Sequence, residues 1–157
     1  YEKKIVDLIN YFYSKNYKIV LMSFCKSEGD EKAIESIIDK CEDNIRHDII
    51  TYFYNGDINQ ALDVIADSKI VVATRFHAMI LGLLFEKTVL PIAYSNKTIN
   101  VLNDIGFNGK IITCNNIHQF NTDELTEQDI NYIHDVSTYV RDAQKHFEKL
   151  DKVLEKR

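Results

Sequence analysis

The chain has 157 residues, 45% of them hydrophobic, with 19 basic and 24 acidic side chains and a net charge of -5. That length suits one domain with a core of its own, and the dispersed, outnumbered cations exclude a nucleic-acid footprint, which needs Lys and Arg massed against a phosphate backbone. Three cysteines without a C-x-x-C spacing read as reduced thiols rather than as a disulfide framework or a zinc site.

Tyr1 to Ser14 puts Ile5, Leu8, Ile9 and Phe12 on one helical face. The segment opens without an initiator Met, which reads as a piece of a longer protein, and it carries no signal-peptide pattern. Tyr17 to Phe24 is a first strand, and Cys25 to Gly29 is a polar loop at its carboxyl end. Asp30 is expected to cap a helix whose apolar face is Ile34, Ile37, Ile38 and Cys41. Asp48 to Tyr54 reads as a second strand ending at Asn55-Gly56, and Asp57 with Gln60 forms a capping box ahead of Ala61, Leu62 and Ile65.

The organising stretch runs from Ser68 to Lys97. Lys69 to Ala73 is a buried strand, Thr74 and Arg75 a sharp turn, Phe76 to Phe85 an apolar helix, and Thr88 to Ala93 a second buried strand leading to a polar turn with Lys97. Apolar runs flanking an apolar helix are the pattern of a parallel sheet covered on both faces. Thr74, Arg75 and His77 interrupt the run, so it does not read as a membrane span. Ile99, Leu102 and Ile105 then mark a helix stopping at Gly106, and Lys110 to Thr113 is a small fifth strand. Thr126 to Asp129 reads as the start of a long helix whose apolar residues, Ile133, Val136, Val140, Ala143, Phe147, Leu150 and Leu154, form a narrow seam. That seam suits a homo-oligomer or, preferably, a helix crossing its own domain onto something beyond it.

The alternation predicts α/β architecture, a doubly wound Rossmann-like sheet of about five parallel strands with helices on both faces and a long carboxyl-terminal helix. Ligands of such sheets sit beyond the carboxyl ends of the strands, where Arg75 and His77 fall. A helix start capped by Thr74, its dipole and a guanidinium would converge there on an anion, and an imidazole is the side chain that ordinarily changes charge near neutral pH. No G-x-G-x-x-G or P-loop is present, which argues against NAD, FAD or ATP held by those devices and leaves no cofactor to expect. No His/Cys/Asp cluster has ligand spacing, so no metal is expected either. The bland reading stands beside this one: an Arg at a helix start is more often ion-paired, a His in an apolar helix more often a core residue, Lys97 often only solvated, and Tyr94 as readily packing as binding. His47, His118, His134 and His146 read as surface residues.

Arg75-Phe76-His77-Ala78, preceded by Ala66-Asp67-Ser68-Lys69-Ile70-Val71-Val72 and followed by Leu90-Pro91-Ile92, Tyr94, Lys97 and Gly106, resembles the pattern of the polysaccharide pyruvyl transferase family, over roughly residues 5 to 113. The resemblance implies a GT-B-like enzyme of two Rossmann-like halves, with residues 1–157 forming the single donor-binding, carboxyl-terminal half. It implies phosphoenolpyruvate as donor, a saccharide or lipid-linked saccharide as acceptor, a pyruvate ketal on a cell-surface polysaccharide as product, and a cytoplasmic location at or near the inner face of the membrane. A preceding amino-terminal domain would hold the acceptor. On that pattern Arg75 and His77 are the catalytic candidates, with Lys97, Ser23, Tyr94 and Ser95 completing the anion site. The alternatives are the nucleotide-sugar half of a GT-B glycosyltransferase, for which Glu86 is a poor ribose ligand, and a non-catalytic assembly module.

Overall fold

A computed structural model describes residues 1–155, apart from the side chain of Lys149. In chain order the elements are α1 (Glu2–Ser14), β1 (Val20–Ser23), α2 (Asp30–Ile38), α3 (Asp43–Asp48), β2 (Ile50–Phe53), α4 (Ile58–Ala66), β3 (Ile70–Ala73), α5 (Phe76–Leu84), β4 (Thr88–Ala93), α6 (Asn96–Asp104), β5 (Ile112–Thr113), α7 (Ser137–Gln144) and α8 (Glu148–Leu154). Short 3-10 turns lie at Lys26–Glu28, Thr122–Glu124 and Lys145–Phe147.

Every strand pair is parallel. The strands form two sheets, β1-β2 and β3-β4-β5, so the predicted sheet is divided into pieces of two and three strands over a shared core. In β4 every residue is buried, as expected of a central parallel strand whose run of Val, Leu, Pro, Ile and Ala has no polar face. The pleat sends alternate side chains to opposite layers. Leu90 and Ile92 pack with Leu8, Ile9 and Phe12 of α1 and with Ile37 and Ile45. Val89 packs with Met79 and Leu83 of α5 and with Leu102 of α6. Those two layers are the doubly wound arrangement, and Ile19 just before β1 and Leu21 within it join the α1 layer.

Helix α5 lies close against the sheet because residue 82 has no side chain. A Cβ on Gly82 would stand 2.9 Å from Val89 Cγ2 and 3.3 Å from Val71 Cβ. Alanine in a helix is ordinarily favoured over glycine by about 1 kcal/mol, but overpacking a fitted core costs about 1–3 kcal/mol. Gly82→Ala is therefore expected to lower stability by about 1 kcal/mol, a fall of about 3 °C in Tm; a melt that rises instead would contradict this packing.

Several expectations are corrected. A short helix, α3, precedes β2, where the sequence suggested only strand from Asp48. The cap of α2 is Gly29, in the left-handed region with φ +83, and Asp30 is the first helical residue. For α5 the N-cap is Arg75 rather than Thr74, with extended backbone and no side-chain cap. Lys97 lies in the first turn of α6, behind the N-cap Ser95, rather than in a turn before the helix. Asp57 does cap α4, accepting from the N–H groups of Asn59 and Gln60.

The predicted long carboxyl-terminal helix starts at Ser137, not Thr126, and is two short helices, α7 and α8, separated by the 3-10 turn Lys145–Phe147. Thr126 and Asp129 bond reciprocally through backbone and side chain, closing a local turn instead of propagating a helix. Ile130 drops into the core and Ile133 forms an antiparallel bridge with Thr88. His134 is not a free surface residue: its Nε2 lies 3.0 Å from the Ile105 carbonyl oxygen and its Nδ1 3.0 Å from the Tyr132 hydroxyl.

Candidate functional site

The carboxyl ends of β1, β3 and β4 form one edge. Parallel pairing aligns β3, β4 and β5, with Ala73 opposite Pro91 and Ala93 opposite Thr113, and the loop after β1 is tied to the same edge through Glu28 and Asp30, which pair with Arg75. Arg75, His77, Tyr94, Ser95 and Lys97 all follow those strand ends within a few residues.

Arg75 reaches away from α5 to the loop after β1. Its Nη1 pairs with Glu28 Oε2 and its Nη2 with Asp30 Oδ1. The two acids are held very differently. Asp30 Oδ2 also accepts the backbone N–H groups of Cys25 at 2.9 Å and Phe24 at 3.2 Å, and its side chain is 17% exposed. Glu28 ends the 3-10 turn with its side chain 60% exposed. Burial pushes the Asp30 carboxyl up, but the Arg75 hydrogen bond, the Cys25 and Phe24 N–H groups and the Arg75 charge together hold it below the ordinary aspartate value. The Arg75 guanidinium is correspondingly driven up by hydrogen bonds to Asp30 and Glu28, against a smaller opposing effect of burial.

On the other side of the α5 start, Phe76 organises a second group. The exposed His77 ring stands edge-on to Phe76 with centroids 5.8 Å apart, and Lys97 Nζ sits 4.3 Å from the Phe76 ring centroid. A cation over an aromatic face at that range is attracted by the ring quadrupole, which aims the ammonium of α6 toward the first turn of α5. No hydrogen bond or ion pair joins Arg75 to His77 among the described residues, as expected for helical positions two apart, which do not face each other. The helix start thus has a guanidinium already paired with two carboxylates on one side and the Lys97 ammonium with the His77 ring on the other.

The remaining candidates are placed as follows. Ser95 Oγ lies 3.5 Å from Thr98 Oγ1, and Tyr94 is exposed. Ser23 stands at the correct strand end but is 1% exposed, and its carbonyl accepts the Tyr54 N–H.

Two residues unmarked by the sequence reading enter the site, Glu28 and Asp30 as partners of Arg75. No local pattern marks Glu28 or Asp30, because they meet Arg75 across 47 and 45 residues.

One surface hollow of about 420 Å³ lies between α1 and residues 121–123, and another of about 320 Å³ runs along β5 to Glu124. Among the described residues no group of three His, Cys, Asp or Glu side chains is placed to hold a metal, and no helix is long and apolar enough to cross a membrane.

An R-F-H-A sequence opens helix α5 at the carboxyl ends of parallel strands. The family model of polysaccharide pyruvyl transferases matches residues 1–96, a segment that contains Glu28, Asp30, Arg75, His77, Tyr94 and Ser95 and ends one residue before Lys97. No curated protein and no solved structure matches the chain. With more than half its length matched, the chain belongs to the polysaccharide pyruvyl transferase family.

Proposed function

We propose that this chain is the donor-binding, carboxyl-terminal half of a GT-B-like pyruvyl transferase, and that its donor is phosphoenolpyruvate. The observation that carries the reading is the gathering of a guanidinium, an imidazole and an ammonium about the first turns of α5 and α6. Phosphoenolpyruvate carries its carboxylate and its phosphate side by side on C2, next to the methylene that receives the proton, so both anionic groups fall within reach of cations gathered at one helix start. The guanidinium fork matches a planar carboxylate or a phosphate edge, and the ammonium serves as a point charge. The uncapped N–H groups at the start of α5 add donors to the same region.

Ketal formation needs a proton on the methylene carbon, attack by a sugar hydroxyl on the resulting C2 cation, loss of phosphate from C2 to give a second cation, and attack on that cation by a neighbouring hydroxyl. The methylene gains one proton, the two hydroxyls lose two, and the departing phosphate accounts for the other. In this reading Arg75 and Lys97 stabilise the leaving phosphate and the carboxylate. His77, exposed at the same edge, delivers or accepts the moving proton, a role worth about a hundredfold or more in rate. In this reading a second half closes over the edge with the saccharide or lipid-linked acceptor. Such an enzyme would work in the cytoplasm, at the inner face of the membrane where its acceptor is presented.

The test is a melting titration. Phosphoenolpyruvate at about a hundred times its Kd would stabilise the protein by about 2.7 kcal/mol, a rise of several degrees in Tm, and a UDP-sugar would give none. Equal shifts with both ligands would favour a nucleotide-sugar domain instead, and no shift with phosphoenolpyruvate would remove the donor assignment.

A further inference from the structure

The two carboxylates on Arg75 are not equivalent, and their difference suggests what each does. Asp30 is fixed at three points: Arg75, the Cys25 N–H and the Phe24 N–H. Glu28 has Arg75 as its one side-chain partner among the described residues. It sits at the end of a 3-10 turn, directly before Gly29, whose backbone is left-handed and whose missing Cβ would meet no atom within 4 Å. So Glu28 hangs from a glycine in open space, whereas Asp30 is built into the start of α2.

We propose that Glu28 is an internal stand-in for the anionic donor: it neutralises Arg75 in the empty site and is displaced by the ligand, while Asp30 stays in place and keeps the guanidinium aimed. The proposal rests on the donor-binding reading of this edge. It follows from the chemistry of the fork. A guanidinium binds a carboxylate or phosphate through the same N–H edge, so an incoming anion and the Glu28 carboxylate compete for Nη1. Nothing else holds Glu28 there, and its exposure lets the released carboxylate return to water at little cost. The Asp30 pair is shielded and shares its carboxylate with two backbone donors, so it is the partner that persists. The net effect is a site that avoids an unpaired guanidinium and selects against weak monoanions, which lack the charge to displace a tethered carboxylate.

Two consequences are measurable. Glu28→Gln removes the competing charge while keeping the side chain's shape, and an exposed ion pair of this kind holds back binding by about three- to fivefold. The phosphoenolpyruvate Kd is therefore expected to fall by about that factor in Glu28→Gln, and likewise in Glu28→Ala, with Tm within about 2 °C of wild type. In turnover by the full-length enzyme, the same variants are expected to lower the donor KM with kcat unchanged or reduced, a split that a purely structural role would not produce.

The experiment is calorimetric titration of wild type, Glu28→Gln and Glu28→Ala with phosphoenolpyruvate and, separately, with inorganic phosphate. Tighter phosphoenolpyruvate binding in both variants supports the proposal. Tighter phosphate binding with no phosphoenolpyruvate binding in any variant would keep Glu28 as the stand-in and overturn the donor assignment. Unchanged or weaker phosphoenolpyruvate binding in both variants, with wild type still binding, would overturn the role of Glu28 and leave the donor reading intact. No binding of either anion to any variant would overturn both.

Discussion

Arg75→Ala is expected to abolish measurable phosphoenolpyruvate binding by this domain and to reduce turnover of the full-length enzyme by at least about a hundredfold. Hydrogen bonds to charged groups contribute about 1.5–3 kcal/mol each, and the fork can make two to one anion, so their loss corresponds to about two or more decades. The variant should still fold. Asp30 retains the Cys25 and Phe24 N–H groups, and Glu28 turns to solvent. Arg75→Lys separates charge from geometry: an ammonium keeps the sign but cannot span Glu28 and Asp30 or grip an anion through two parallel bonds, so about a tenfold loss is expected. Calorimetry on the domain and a phosphate-release assay on the full-length enzyme check both variants. Wild-type affinity in Arg75→Ala would remove the guanidinium from the site, whatever the family pattern suggests.

The elements that sequence reasoning placed well are those whose signal is local. Thr88–Ala93 is six consecutive residues without a charge, short enough and bounded closely enough to read as a central strand, and all six are buried. Asp57 announces α4 because its carboxylate serves N–H groups two and three residues ahead. The failures share a different cause. Asp43–Asp48 holds a single buried apolar residue, Ile45, so no periodicity betrays α3. Thr126 to Asp129 has the composition of a helix start, yet the chain there is governed by Ile130 entering the core and Ile133 pairing with Thr88, contacts set by distant residues. The site divides the same way. Its sequence-near members, Arg75 and His77, were legible as a motif. Its long-range members, Glu28 and Asp30, were not: an ion-paired Arg75 stood as the bland alternative, but nothing local in the sequence says which carboxylates it meets.

The acid dependence of folding gives the remaining large effect, through Asp30. Its carboxyl titrates below the ordinary aspartate value in the folded chain. The unfolded state therefore binds the proton first as pH falls, and the stabilisation belongs to the charged form. It is fully present above the ordinary aspartate pKa of about 3.9 and is lost as pH drops through the depressed folded value. Asp30→Asn keeps the shape and one oxygen for the Cys25 and Phe24 N–H groups but presents an amide to a guanidinium that it cannot neutralise. Breaking a charged, shielded bond in this way is expected to cost about 2 kcal/mol at neutral pH, a fall in Tm of about 6 °C. Because the variant has no proton to gain at this position, the gap between wild type and Asp30→Asn should be constant through neutral pH and should close progressively in acid below about pH 4. Melts collected across that range decide the matter. A gap that persists undiminished into strong acid would mean that Asp30 acts through shape and packing, and the electrostatic anchoring of Arg75 would then have to be given up.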